Sequence, residues 1–271
     1  MLFRLLFSLA LVAPASAQMV EEVPFVVTPD HVTLAMLRIA EVGPRDYVID
    51  LGSGDGRIVI TAAKRFGARA LGIEIVPDLV EKSRAAARGA GVAHRAQFRE
   101  EDIYKTDLSQ ATVITMYLLP SVNLQLRPSL LALKPGTRIV SHDWDMGEWR
   151  PDRVLTIPVP DKKLGREKVS RVFLWTVPAN AQGTWCGAGN AARLDITQSF
   201  QDVEGRILHE GRARSFKGSF KGAALQGRKG ADARINFEMR GHELVLTSST
   251  GATRSLRGAR FVRAVNGICN G

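Results

Sequence analysis

The run Val48-Ile49-Asp50-Leu51-Gly52-Ser53-Gly54-Asp55-Gly56-Arg57 constrains this chain more than any other segment. Residues 47–51 are nearly all apolar, as in a strand buried on both faces of a parallel sheet. Residues 57–66 have the apolar spacing of a helix stopped by Gly67. The alternate glycines between them let the backbone turn tightly and approach a ligand closely. Strand, glycine hinge and helix in that order predict the opening unit of a doubly wound α/β sheet. Such sheets bind their ligands at the carboxyl ends of the strands.

The pattern continues as that fold requires. Helices are expected at 29–40, 77–88 and 124–133, and strands at 70–75, 97–103, 111–119 and 137–144. The runs 154–159 and 168–177 follow with no helix between them, which predicts an antiparallel hairpin at the sheet edge. Residues 178–181 read as a short linker. Beyond it lie short runs at 194–200, 206–209, 213–216, 219–225, 233–239, 243–248 and 255–262, divided by Glu-Gly, Lys-Gly, Arg-Gly and Thr-Gly. They predict a second, smaller all-β domain, an antiparallel meander closed as a sandwich or barrel. A length of 271 residues suits two such domains, divided as 18–177 and 178–271.

Residues 1–17 stand apart. Arg4, an apolar run over 5–12, Pro14 and Ala15-Ser16-Ala17 form a secretory signal peptide, with Gln18 as the mature N-terminus. The apolar run is too short to span a bilayer. The alternative is an uncleaved leader that tethers the protein to a membrane. Export bears on Cys186 and Cys269, which bracket nearly the whole second domain: they are either two buried thiols or, as an oxidising compartment favours, a disulfide. Two cysteines cannot build a four-cysteine zinc site, and no metal is expected. Of a net charge of +10, the segment 178–271 supplies +7, from 14 Lys and Arg against 7 Asp and Glu. A basic module of that kind fits an anionic surface or acidic partner, and no sequence-specific nucleic-acid binding is expected.

Chemistry is legible around the hinge. Glu74 ends the second strand, 20 residues after Gly54, where a carboxylate can accept hydrogen bonds from both hydroxyls of a ribose. Asp102 follows the third strand, where it can hold an adenine amino group, although Glu100 and Glu101 stand close enough to substitute. The glycine spacing departs from the dinucleotide fingerprint, and Asp50 and Asp55 would repel a pyrophosphate. Flanking acids suit the ammonium end of an amino-acid-bearing nucleoside, which selects S-adenosyl-L-methionine over NAD.

At this point the sequence resembles the class I S-adenosylmethionine-dependent methyltransferases. The segment from Val48 to Gly56 looks like their first motif, Glu74 their second acidic position, and Glu101-Asp102-Ile103 their third. Thr28-Pro29, DLGSGDGRIVI from Asp50, TMYLLPSVN from Thr115, LKPGTRIVSHDW from Leu133 and Gly147-Glu148-Trp149 resemble more narrowly a bacterial group related to mitochondrial protein-lysine methyltransferases. The resemblance covers residues 23–177. It implies a Rossmann-like seven-stranded sheet whose last strand is antiparallel, and methyl transfer to an amine, with protein lysine as the substrate class. It also implies that Asp50, Gly52, Ser53 and Gly54 shape the methionine pocket, that Glu74 binds ribose and that Asp102 binds adenine.

Tyr117, Leu118 and Pro120 follow the fourth strand, beside the transferable methyl in this architecture. A tyrosine there positions an amine or stabilises positive charge, or else is a core aromatic. His142 and Asp143 end the fifth strand, where they can take the proton a lysine ammonium must lose before it attacks, or serve structure alone. Trp144 and Trp149 line the substrate channel or pack. The rival to an enzyme is an exported, non-catalytic binding protein that retains the fold and docks its basic module on anionic envelope surfaces.

Overall fold

The computed structural model describes residues 26–162, 167–187, 192–230 and 233–269, so the expected leader at 1–17 lies outside the described residues. The first part alternates α1 (Asp30–Ile39), β1 (Tyr47–Leu51), α2 (Arg57–Phe66), β2 (Arg69–Glu74), α3 (Pro77–Gly89), β3 (Ala96–Glu100), β4 (Val113–Met116), α4 (Pro120–Leu131) and β5 (Arg138–His142), then β6 (Arg153–Pro158) and β7 (Val169–Thr176). The seven strands stand in the order β3-β2-β1-β4-β5-β7-β6. Strands β1 to β5 are parallel, and β7 inserts antiparallel between β5 and β6. The expected Rossmann-like sheet and edge hairpin are therefore both present.

Both faces are covered. On one, Val48, Ala70, Phe98, Val113 and Val140 pack with residues of α1, α2 and α3. On the other, Ile49, Leu51, Ile73, Ile114 and Ile139 pack with Val122, Leu126 and Leu130 of α4. Burial on both faces is why β1, β2, β4 and β5 lack polar alternation, whereas the edge strand β3 alternates between buried Ala96 and Phe98 and exposed Gln97 and Arg99. Chain order reverses between β1 and β4, which opens the crevice above their carboxyl ends. The helix expected at 124–133 begins earlier, at Pro120, because proline's fixed φ suits a first helical turn.

The second part is β8 (Gly183–Gly187), β9 (Ala192–Ser199), β10 (Asp202–His209), β11 (Arg212–Lys221), β12 (Ala224–Lys229), β13 (Ala233–Arg240), β14 (Glu243–Ser249), a 3₁₀ turn (Gly251–Leu256) and β15 (Arg260–Arg263). Each strand pairs antiparallel with the next, and β15 returns to β8, closing an eight-stranded barrel. Trp185, Leu194, Ile207, Phe216, Phe220, Phe237 and Phe261 fill its interior.

Three expectations change here. The runs at 213–216 and 219–225 are not separated by a turn: Lys217 and Gly218 lie inside β11. A Cβ on Gly218 would come within 2.6 Å of the Gln226 carbonyl, so the glycine serves close strand approach rather than chain reversal. Only the end of the run at 255–262 is strand. Residues 178–181 are not a free linker: Ala179 and Ala181 are buried, and the Gln198 side chain binds Ala179, Ala181 and Phe200 through their backbones.

The seam between first and last strands is doubly secured. Arg263 lies 4.5 Å over the Trp185 ring and donates to the carbonyls of Asn180 and Gln182. Cys186 and Cys269 form a disulfide across a sequence separation of 83. In the chain-entropy account a loop of that length is stabilised by about 4–5 kcal/mol. Replacing both cysteines by serine should lower the barrel's denaturation midpoint and leave the unfolding of the α/β part unchanged. Urea titrations followed by Trp fluorescence, with and without reductant, read this, and a midpoint insensitive to reductant would refute it.

Candidate active site

The glycine hinge is held from below by β2 and from the side by α3. The amides of Gly52 and Ser53 both donate to the Ile73 carbonyl at 2.9 Å. Ser83 Oγ donates to the Gly54 carbonyl, and the Gly54 amide donates to Glu74 Oε2 at 2.9 Å. Gly52 (φ +70) and Gly56 (φ +77) take left-handed conformations that favour glycine. A Cβ on Gly52 would meet Leu118 at 2.8 Å and one on Gly56 would meet Phe98 at 2.7 Å. Ser53 is buried, and its Oγ has no partner among the described residues.

The acids divide into two kinds. Glu74 accepts the Gly54 amide on one oxygen and the Ile75 and Val76 amides on the other, so its carboxylate is fixed in orientation and retains a lone pair. Asp102 accepts the Tyr104 amide through Oδ1, and its Oδ2 faces Lys105 at 3.5 Å. Glu74 ends β2 and Asp102 stands just beyond β3, so both acceptors lie at the carboxyl edge of the sheet. Asp50, by contrast, is buried and accepts the Thr115 hydroxyl at 2.7 Å, bracing β1 against β4. Burial pushes its carboxyl up to about 7 against the lowering effect of Thr115, with Asp55 and Glu74 adding like charge. Asp55 does not stand free beside the hinge as expected. Arg57 grips it with bonds as short as 2.6 Å, then reaches the Thr28 carbonyl at 2.9 Å and tethers the segment before α1. Although partial burial opposes it, those bonds hold the Asp55 carboxyl below the usual carboxylate range.

A second cluster sits where β4 and β5 end and β7 begins, and it unites all three residues expected to handle the amine. The Tyr117 ring lies against the His142 imidazole, centroids 3.9 Å apart, and its hydroxyl donates to Asp143 Oδ2 at 3.3 Å. Burial, then the Asp143 charge, push the Tyr117 phenol up to about 12. His142 is buried between Thr28 Oγ1 at 3.1 Å and Ser170 Oγ at 2.8 Å. Burial pulls it down to about 4, and Lys162 outside adds to that while Asp143 opposes it. A group lowered that far is in its neutral form at pH 7, and the imidazole lies against the Tyr117 ring without a charge of its own. Asp143 has φ +62, and its amide and Oδ1 pair with the Arg171 carbonyl and amide at 2.7 and 2.9 Å.

Sequence reading missed Lys162, whose Nζ lies 2.7 Å from Asp143 Oδ2, and Asn123, which is buried. Asn123 Nδ2 lies within 3.3 Å of Ser141 Oγ and the carbonyls of Trp144 and Asp145, fixing the loop after β5 to α4. Its place in TMYLLPSVN was the available signal. Trp149 packs in the core, stacked on Phe200, whereas Trp144 is exposed beside Asp143.

The family described as ANTKMT methyltransferase domain matches residues 50–153. A protein-lysine N-methyltransferase of Saccharolobus islandicus is 45% identical over 140 residues, 51% of this chain and 87% of that protein. The adenine nucleotide translocase lysine N-methyltransferase of Mus musculus is 36% identical over 143 residues, 52% of this chain and 56% of that protein, so the chain spans little more than half of the mouse relative. A solved structure described as an RNA methyltransferase from Salinibacter ruber with S-adenosyl-L-homocysteine is 51% identical. It covers 57% of this chain and 95% of its own, at a TM-score of 0.52.

Asp50 sets a pH signature. A carboxyl raised in the fold favours folding below its unfolded value of 3.8, and that contribution is lost as pH rises to about 7. Asp50→Asn should thus match the parent's thermal midpoint near pH 4 and exceed it above pH 7, the stability gap growing by up to about 1.4 kcal/mol for each pH step between those limits. A pH-independent difference in calorimetry would contradict this. The glycine cradle and its donor-matched acids are the geometry that S-adenosylmethionine needs, and the Saccharolobus and Salinibacter relatives match this chain across most of their own length. The chain belongs to the class I S-adenosylmethionine-dependent methyltransferases, among the relatives of the mitochondrial protein-lysine methyltransferases.

Proposed function

We propose that this N-methyltransferase acts on lysine side chains of proteins, with Tyr117 and Asp143 receiving the amine. The observation that carries the reading is the fixed Tyr117–Asp143 pair, which already holds an ammonium, that of Lys162. Bound S-adenosylmethionine supplies an electrophilic methyl. The protein must orient a neutral amine towards it and keep water out. Asp143 Oδ2 accepts the hydrogen bond of the arriving ammonium and is placed to take its proton. The neutral Tyr117 hydroxyl orients the amine lone pair, and the His142 face fixes the ring.

The surroundings favour a cationic acceptor over a polyanion. Glu100 ends β3 and Glu101 and Asp102 follow it, and Asp143, Asp145 and Glu148 follow β5, so carboxylates stand at two strand ends around the crevice. Such a field attracts a lysine-rich protein and repels a phosphate backbone. Poly-L-lysine should accept tritiated methyl and a mixed-sequence RNA should not; the reverse result would overturn the assignment. Asp143→Asn should lower kcat by about 10²-fold or more. Glu74→Gln should weaken S-adenosylhomocysteine binding by roughly 10- to 100-fold in titration calorimetry, as for loss of a charge-assisted bond worth about 1.5–3 kcal/mol.

Location and partner are read from the second part of the chain, from about residue 178. A disulfide supports an oxidising compartment, and with it the export expected from residues 1–17. Among the described residues no helix is long and apolar enough to cross a membrane. On the barrel exterior, Lys217 stands opposite Arg228 and Arg228 opposite Arg234 in the strand register, all exposed. Lys217 is already paired with Glu204, which leaves Arg228 and Arg234 as like charges opposite one another, an arrangement that is unfavourable unless an anion joins them. A groove of about 710 Å³ beside them is lined by Arg206, Lys217 and Arg228, with Asp195 and Glu204. An anionic membrane surface fits this stripe. The protein should co-float with vesicles of phosphatidylglycerol and not of phosphatidylcholine, and Arg228→Glu with Arg234→Glu should abolish the difference. Equal flotation with both would refute it.

A further inference from the structure

Lys162 lies between β6 and β7, and its side chain does not run out to water. Its stem folds inward until only 17% of the side chain is exposed, with Nζ 2.7 Å from Asp143 Oδ2 and 2.6 Å from the Val169 carbonyl. The same Oδ2 accepts the Tyr117 hydroxyl. Asp143 itself cannot turn away, because its amide and Oδ1 are both committed to the backbone of Arg171. Oδ2 is the carboxylate oxygen left over, and its direction is set by the strand.

A fixed carboxylate oxygen and a backbone carbonyl hold the ammonium, and the Tyr117 phenol is bonded to the same carboxylate oxygen. An ammonium has three donors and no acceptor, so it complements these acceptors in charge and in hydrogen-bond sense. A neutral amide or hydroxyl would leave the carboxylate charge unmatched. These half-buried oxygens therefore favour a primary alkylammonium, and Lys162 shows one seated there. The Lys162 amide is bonded to the Val159 carbonyl and its own carbonyl accepts Lys168 Nζ, so the backbone is anchored independently of the ammonium. The side chain can leave by rotation about its own bonds while the strands stay paired.

We infer that Asp143 Oδ2, the Val169 carbonyl and Tyr117 are the subsite for the acceptor lysine's ammonium, and that Lys162 is its resident occupant, displaced when the substrate lysine enters. This subsite rests on the amine-acceptor reading above and adds to it a third wall and a competitor within the chain. Lys162 is then a positioning residue: it keeps the subsite preformed and partly neutralised until an acceptor arrives, and it discriminates against lysines too poorly presented to displace it.

The test is binding, without turnover. The full chain, Lys162→Met and Lys162→Gln are titrated with n-butylammonium chloride, a lysine side chain without its backbone, and followed by NMR of the Tyr117 ring. Removing the resident ammonium should tighten n-butylammonium binding at least tenfold in both variants. Adding Asp143→Asn to Lys162→Met should abolish the gain. Affinity in both variants no better than the parent's, with circular dichroism showing folded protein, would overturn the inference and leave Lys162 a structural ion pair. S-adenosylhomocysteine affinity is measured on the same samples and should be unchanged by either Lys162 substitution. Its absence in the parent would count against the methyl-transfer reading, whatever n-butylammonium does.

Discussion

The carbonyl of Ile73 receives the amides of Gly52 and Ser53 together, and much of the α/β part is arranged around that bond pair. It bends the chain away from β1 at the point where strand order reverses, and it does so against the next strand rather than against solvent. Glu74, one residue further, then accepts the Gly54 amide, so the glycine cradle and this carboxylate are parts of one brace. The glycines are required because Leu118 and Phe98 crowd the spaces a side chain would occupy. Leu118 adjoins Tyr117, which couples the glycine cradle to the cluster of Tyr117, His142 and Asp143.

Two buried titratable groups illustrate how location decides chemistry. Asp50 and His142 both sit at strand ends in the crevice, both are desolvated, and both are moved towards their neutral forms. Neither therefore needs a counter-charge, and each finds hydroxyl partners, Thr115 for one and Thr28 with Ser170 for the other. Asp143, one residue beyond His142, has two backbone bonds and an ammonium, a setting in which a carboxylate charge is satisfied. Asp143 is thus separated from its neutral neighbour by a single step into positive φ.

The α/β part was legible because parallel strands covered on both faces leave continuous apolar runs, and because little besides a ligand-binding turn calls for glycine at three alternate positions after such a strand. Tyr117, His142 and Asp143 could be placed together since all three end adjacent strands. Lys162 could not: nothing in its own neighbourhood marks it, and its contact depends on β7 running antiparallel beside β5. In the barrel the sequence misled where glycine had two meanings. Gly218 looked like a turn and is a point of close strand approach, while β8 was hidden because its short run offers one large side chain, Trp185, and a cysteine. The packing of Ala179 and Ala181 was illegible for a related reason, since small residues give no hydrophobic signal and their burial is decided by Gln198 from another strand.

Phe200, at the turn between β9 and β10, joins the two parts of the chain. It stacks on Trp149 and lies under Arg127, whose guanidinium also donates to the Met146 carbonyl, while Gln201 donates to the Arg150 carbonyl and Arg150 pairs with Asp202. Those contacts fall on the loop that begins at Asp143. The barrel is consequently a ruler as well as a surface. A body resting on its outer strands is held at a set distance and angle from Asp143. On the function proposed above, a lysine would then be selected by how far it stands from that footing, even when the residues around it carry no distinguishing sequence.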